Sequence, residues 1–312
     1  MHIRPYGLAA ALAILAAPAM AAEPAECRDV VFSDVGWTDI TATTALATTV
    51  LDALGYQSEI KILSLPVTYT AMAQGDVDVF LGNWMPSQEN DIRPYRDAGT
   101  VEVLRTNLTG AKYTLATNQA GADLGIGDFA DLAAHADALD GKIYAIEPGN
   151  DGNRLLLEMV AEDRYGTGTF EIVESSEQGM LAQVARADSA GNPVVFLGWE
   201  PHPMNSQFQM TYLEGGDDTF GPDLGGATVD TNIRQNLTQD CPNLGQFLSN
   251  LEFSLEMENE MMGRILNDGQ EPGTAAREWL AANPQAATPW LEGVTTFDGQ
   301  DASAALAGSL AD

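Results

Sequence analysis

The chain has 312 residues and a formal net charge of −31 at pH 7, from 45 Asp and Glu against 14 Lys and Arg. Nucleic acid and anionic membranes need clustered Lys and Arg, so this charge excludes both as partners. Lys61, Lys112 and Lys142 are the only lysines and make no basic patch, while the length suits two α/β domains.

Residues 1–21 read as a signal peptide: Arg4, then the apolar run GLAAALAILAAP, then a small-residue cleavage site ending at Ala21. Cleavage would remove one charge, Arg4, taking −31 to −32. No later stretch approaches about 20 uninterrupted apolar residues. Cys27 follows Glu26 beyond the Ala-rich site, which argues against a lipid anchor. The expected product is soluble and periplasmic. Cys27 and Cys241, an even count in an oxidising compartment, are expected to pair. A loop of roughly 215 residues would constrain the unfolded chain by about 5 kcal/mol.

The mature chain opens with a strand at 27–33 and a helix at 38–54 that Gly55 ends. QSEIKILSL is a strand, VTYTAMAQG a short helix and VDVFLG a third strand. Two strands follow, VEVLRTNL and AKYTLATN, then a helix over DFADLAAHADAL. KIYAIEP reads as a strand, and the turn GNDGN leads into a helix over RLLLEMVAEDRYG. FEIVES, the helix EQGMLAQVARADSAG and the strand PVVFLGW come next. Beyond Asn205 the chain reads as QMTYLE, a Gly/Asp-rich loop, helical segments to Trp290, and a partly disordered tail at 299–312.

A bridge from Cys27 to Cys241 would return the chain to the domain it began in. The expected fold is therefore α/β, a two-lobe clamshell with two hinge crossings. Lobe I would comprise 22–110 and 206–312, lobe II 111–205, with hinges near 110–112 and 203–206.

Three tryptophans follow apolar runs that read as buried parallel strands: Trp37, Trp84 and Trp199. Ligands of open α/β sheets bind outside the carboxyl ends of the strands, where the three indoles could converge. FLGNWMP and FLGWEP echo one another around Trp84 and Trp199. Tyr113, just past the first crossing, would supply a fourth ring. Quaternary ammonium groups lack N–H donors, and the negative faces of aromatic rings hold them at roughly 0.5–2 kcal/mol each. Asp39 is either a first-turn helix charge or a carboxylate beside the cation. Asn150 is either a turn residue or a ligand contact. Each tryptophan could equally be core packing, the role given to Trp279 and Trp290. No zinc spacing links His2, His135 and His202, and no nucleophile elbow, P-loop or intact dinucleotide fingerprint occurs, so neither catalytic residues, a metal nor a cofactor is expected.

GWTDI, FLGNWMPS, AKYTLAT, EPGNDGN and FLGWEPHPMN, in that order, resemble the periplasmic substrate-binding proteins of quaternary-amine ABC importers, most closely the choline-binding ones. The resemblance spans essentially the mature chain and implies the type II periplasmic binding-protein clamshell. It implies a cage of Trp37, Trp84, Tyr113 and Trp199, with Asp39 beside the ammonium and Asn150 near the choline hydroxyl. It further implies a Cys27–Cys241 disulfide and a monomeric, non-enzymatic receptor that delivers choline to a membrane permease. Acetylcholine or a betaine would bind more weakly. The near rival is a glycine betaine or proline betaine receptor of the same fold. More distant rivals are a secreted hydrolase and an acidic interaction protein whose tryptophans are core.

Overall fold

The computed structural model describes residues 23–311, so the signal peptide expected at 1–21 lies outside the described residues. Nine strands form one twisted sheet: β1 (Asp29–Asp34), β2 (Gln57–Ile62), β3 (Val79–Met85), β4 (Val101–Asn118), β5 (Lys142–Tyr144), β6 (Glu171–Val173), β7 (Val195–Glu200), β8 (Met210–Tyr212) and β9 (Gly226–Arg234). Their order is β2-β1-β3-β9-β4-β7-β5-β6, with β8 on β4. Among the described residues six α-helices precede Pro203: α1 (Thr38–Ala53), α2 (Leu65–Gln74), α3 (Glu89–Asp97), α4 (Gln119–Asp123), α5 (Asp151–Ala161) and α6 (Glu177–Ala190).

The apolar runs behave as buried strands should. Val30 and Phe32 of β1, Val79 and Phe80 of β3 and Val195 to Leu197 of β7 are fully buried. β1 pairs in parallel with both β2 and β3, and β5 in parallel with β6 and β7. Between these parallel halves run β9 and β4, antiparallel to their neighbours. The sheet is therefore mixed, two α/β lobes joined through long strands. Cys27 and Cys241 form a disulfide, with Cα atoms 5.6 Å apart, which ties the start of the first lobe to a segment 214 residues later.

Four expectations need correction. VEVLRTNL and AKYTLATN form a single strand, β4, that is bulged between Leu108 and Ala111 and moves from β9 to β7 around Lys112. DFADLAAHADAL yields only two 3-10 turns, Phe129–Asp131 and Ala133–His135. There the Asp131 carboxylate accepts from the Gly127 and Asp128 amides and closes a turn instead of extending a helix. β9 lies in a region read as helical. Its buried Asp230, Thr231 and Asn232 break the apolar run that marks other central strands, and only the alternation of Ala227, Val229, Thr231 and Ile233 betrays it. The tail expected to be disordered contains the helix Ala302–Ala311, anchored by buried Ala302 and Leu306.

Residues 206–225 also pack differently from the expected division. β8 pairs with the end of β4, Glu214 bridges to Asp128, and a Cβ on Gly216 would strike Phe129. These contacts are with residues of the expected second lobe, whereas the sequence assigned 206–225 to lobe I.

Candidate functional site

β1 ends in Asp34, whose carboxylate accepts from the Gly36 amide and the Thr41 hydroxyl, both at 2.7 Å. That turn sets Trp37 at the N-cap of α1 and Asp39 in its first turn. Trp84 near the end of β3 and Trp199 near the end of β7 are each followed within two residues by a cis X–Pro bond. Tyr113 lies on β4 directly opposite Trp199. Two glycines make room for its ring. A Cβ on Gly152 would lie 2.1 Å from the Tyr113 hydroxyl, and one on Gly225 1.9 Å from its carbonyl oxygen, at a positive φ of 65°.

These elements close on a cavity lined by Trp37, Asp39, Trp84, Tyr113, Ile146, Asp151 and Trp199. Its volume is about 20 Å³. Clefts for drug-sized ligands run from about 300 to 1,000 Å³, so this one suits a smaller molecule. The Trp84 and Tyr113 rings lie 5.8 Å apart at 48°, and Tyr113 and Trp199 6.4 Å apart at 75°. All four rings are buried. Trp279 and Trp290 are buried instead among the C-terminal helices, with their indole N–H groups on Glu260 and on the Glu252 carbonyl.

Asp39 is 2 % exposed, and its carboxylate accepts from the Trp84 indole N–H at 3.0 Å. Burial, then the nearby Glu177 charge, push its pKa up to about 7. Burial likewise raises Asp151 to about 7, and neither of its oxygens has a hydrogen-bond partner among the described residues. Trp37 donates to Glu147 at 2.7 Å, and burial raises that carboxyl too. None of the seven lining residues is basic. Both cage indole N–H groups of the first lobe are already engaged. The enclosure thus offers negative ring faces and carboxylates and no cationic side chain, a lining that suits a small organic cation.

Five of the six ligand residues expected from the sequence meet here. The sixth, Asn150, does not line the cavity. It is the N-cap of α5: its Oδ1 accepts from the Asn153 amide at 2.8 Å and its Nδ2 donates to the Glu147 carbonyl. A capping side chain folds back over its own helix, and the next residue, Asp151, faces the cleft instead. Asp151 and Ile146 were missed in the sequence, although the Asp of EPGNDGN stands beside the residue chosen. Of the residues around the cage, Glu147 and His202 lie inside EPGNDGN and FLGWEPHPMN but were not singled out there, and Glu177 belongs to no motif.

Several hydrogen bonds cross between the lobes. Trp37 bonds to Glu147, Thr38 to Glu177, and Arg154 of α5 to the Ser87 carbonyl and the Asp91 carboxylate at 2.9 and 2.8 Å. The arrangement is a closed one.

Residues 28–282 match the family described as the substrate binding domain of ABC-type glycine betaine transport system. Two solved structures are 64% identical to this chain. An ABC-transporter choline binding protein in complex with choline superposes with a TM-score of 0.91, covering 92% of this chain and 100% of that one. The unliganded semi-closed form of such a protein gives 0.85, covering 91% and 99%. A glycine betaine/carnitine transport binding protein of Listeria monocytogenes is 30% identical over 132 residues, 42% of this chain and 43% of that protein.

Proposed function

The chain belongs to the family of substrate-binding domains of ABC-type glycine betaine transport systems, and we propose that it is an extracytoplasmic receptor that captures choline and hands it to a membrane permease. One observation carries the choice of ligand: four aromatic rings and two carboxylates enclose a small cavity with no basic side chain in its lining. The trimethylammonium group sits against the ring faces of Trp37, Trp84, Tyr113 and Trp199. Asp39 balances its charge. Asp151, with both oxygens free of protein partners, accepts the ligand hydroxyl, which hydrogen bonds to a charged group make worth about 1.5–3 kcal/mol. The 64% identical relative solved with choline supports the same reading.

Glycine betaine is the second reading, favoured by the family description itself. Its carboxylate would meet Asp39 or Asp151 and find no cationic partner in the lining, so it binds more weakly. Acetylcholine has no hydroxyl to donate to Asp151. The receptor acts as a periplasmic monomer after loss of residues 1–21. Lobe II spans 111–225, and the hinges lie in β4 at 110–112 and at the start of β9.

Calorimetry with choline, acetylcholine and glycine betaine, followed in parallel by tryptophan emission, tests the reading. Choline should bind tightest and perturb the emission as the indoles are enclosed. No heat and no spectral change at millimolar choline would refute the cage.

A further inference from the structure

α1 begins without a side-chain cap of its own: its N-cap is Trp37, which offers no acceptor. The missing partner comes from across the cleft. Glu177, the first residue of α6 in the second lobe, accepts from the Thr38 amide at 2.9 Å through Oε2 and from the Thr38 hydroxyl at 2.5 Å through Oε1. Thr38 and Glu177 are 3 % and 1 % exposed. A carboxylate at a helix N-terminus is further favoured by the helix dipole.

Glu177 is held ready from its own lobe. His202 Nδ1 accepts from the Met204 amide at 2.9 Å, which leaves the proton on Nε2 to donate to Glu177 at 3.2 Å. The His202 ring lies edge-on to the cage ring of Trp199, with centroids 4.9 Å apart. One chain of contacts therefore runs from the cage through His202 and Glu177 to the start of α1, where Trp37 and Asp39 stand.

We infer that Glu177 is a positioning residue that latches the closed receptor by capping α1 across the cleft. The inference rests on the receptor reading above. Its bonds to Thr38 exist only when the lobes meet, whereas its bond to His202 is made within one lobe. The latch also carries its own opposition. Closing brings Glu177 and Glu147 of the second lobe against Asp34 and Asp39 of the first, and Glu177 contributes to the raised pKa of Asp34, Asp39 and Glu147 alike. Such crowding of like charge disfavours closure of the empty protein. A cation in the cage offsets it, so the latch holds for a positively charged ligand and not for an empty or anionic one.

The test is a double-mutant cycle on choline binding with Thr38→Val, Glu177→Ala and both together. Each single change should raise Kd about tenfold, mainly through a faster off-rate. The double variant should bind little worse than Glu177→Ala alone, because the hydroxyl bond that Thr38→Val removes is one of the two to Thr38 that Glu177→Ala already removes. Ligand-free melting of Thr38→Val should move by less than about 2 °C, since in the open protein its hydroxyl is hydrated. Additive losses, an unchanged off-rate, or ligand-free melting lowered as far as that of the loaded protein would each overturn the latch. If the wild type itself fails to bind choline, the ligand reading falls instead, and the same four proteins titrated with glycine betaine decide the latch.

Discussion

Asp39→Asn tests the electrostatic balance of the cage most sharply. In the closed, empty cavity Asp39 stands at about 7, against an ordinary value near 4. A raised carboxyl pKa means the ionised form is the one penalised, and the penalty grows with pH until the raised value is passed. At pH 8 it amounts to about 4 kcal/mol, from 1.36 kcal/mol per unit. A ligand cation about 4–5 Å away, at an effective dielectric near 20, returns about 3–4 kcal/mol. The two nearly cancel, so Asp39→Asn should change choline affinity by less than about tenfold. For glycine betaine the balance differs, because a ligand carboxylate about 7 Å from Asp39 is repelled by about 2 kcal/mol. Removing the charge removes that repulsion. The ratio of choline to betaine affinity should therefore fall about thirtyfold, chiefly through gain of betaine binding. Calorimetry with both ligands at pH 8 reads this directly. Equal weakening of both ligands together with earlier melting would refute the reasoning and make Asp39 a support for the first turn of α1.

Because Asp39 and Asp151 both stand at about 7 when enclosed and revert to ordinary values when hydrated, closing the empty protein takes up protons between about pH 4 and 7. The closing cost per carboxyl falls from about 4 kcal/mol at pH 8 to about 2 at pH 5.5, so small-angle scattering should show the ligand-free protein more closed at the lower pH. A profile flat over this range would count against both assignments. Trp199→Ala should weaken choline about thirtyfold or more, as loss of a binding hot spot does, while Trp279→Ala, which loses packing and the bond to Glu260, should lower the melting temperature and spare affinity. Asp151→Asn should cost choline about tenfold relative to tetramethylammonium, which has no hydroxyl to offer; equal losses for the two would remove Asp151 from hydroxyl recognition.

The amino-acid sequence alone determined the α/β class, the export signal as an expectation, the strand ends that carry Trp84 and Trp199, and the turn that carries Trp37. These are local signals: a short apolar run bounded by Gly, Asp or Asn and rich in Val and Phe favours a buried strand without reference to distant residues. The pairing of Cys27 with Cys241 was also legible, because two cysteines allow one bridge. What tertiary structure decided is what depends on partners distant in the chain. β9 is built from Asp230, Thr231 and Asn232, polar residues that are buried only because β3 and β4 flank them. Asn150 and Asp151 are adjacent and chemically alike in sequence, yet helix capping turns one back over α5 and leaves the other facing the cleft. Glu177 belongs to no motif, and nothing in FLGWEPHPMN marks His202 as its partner. Their roles arise where the second lobe meets the start of α1, since a hydrogen bond between residues 139 positions apart is set by how the lobes close and leaves no periodic trace along the chain.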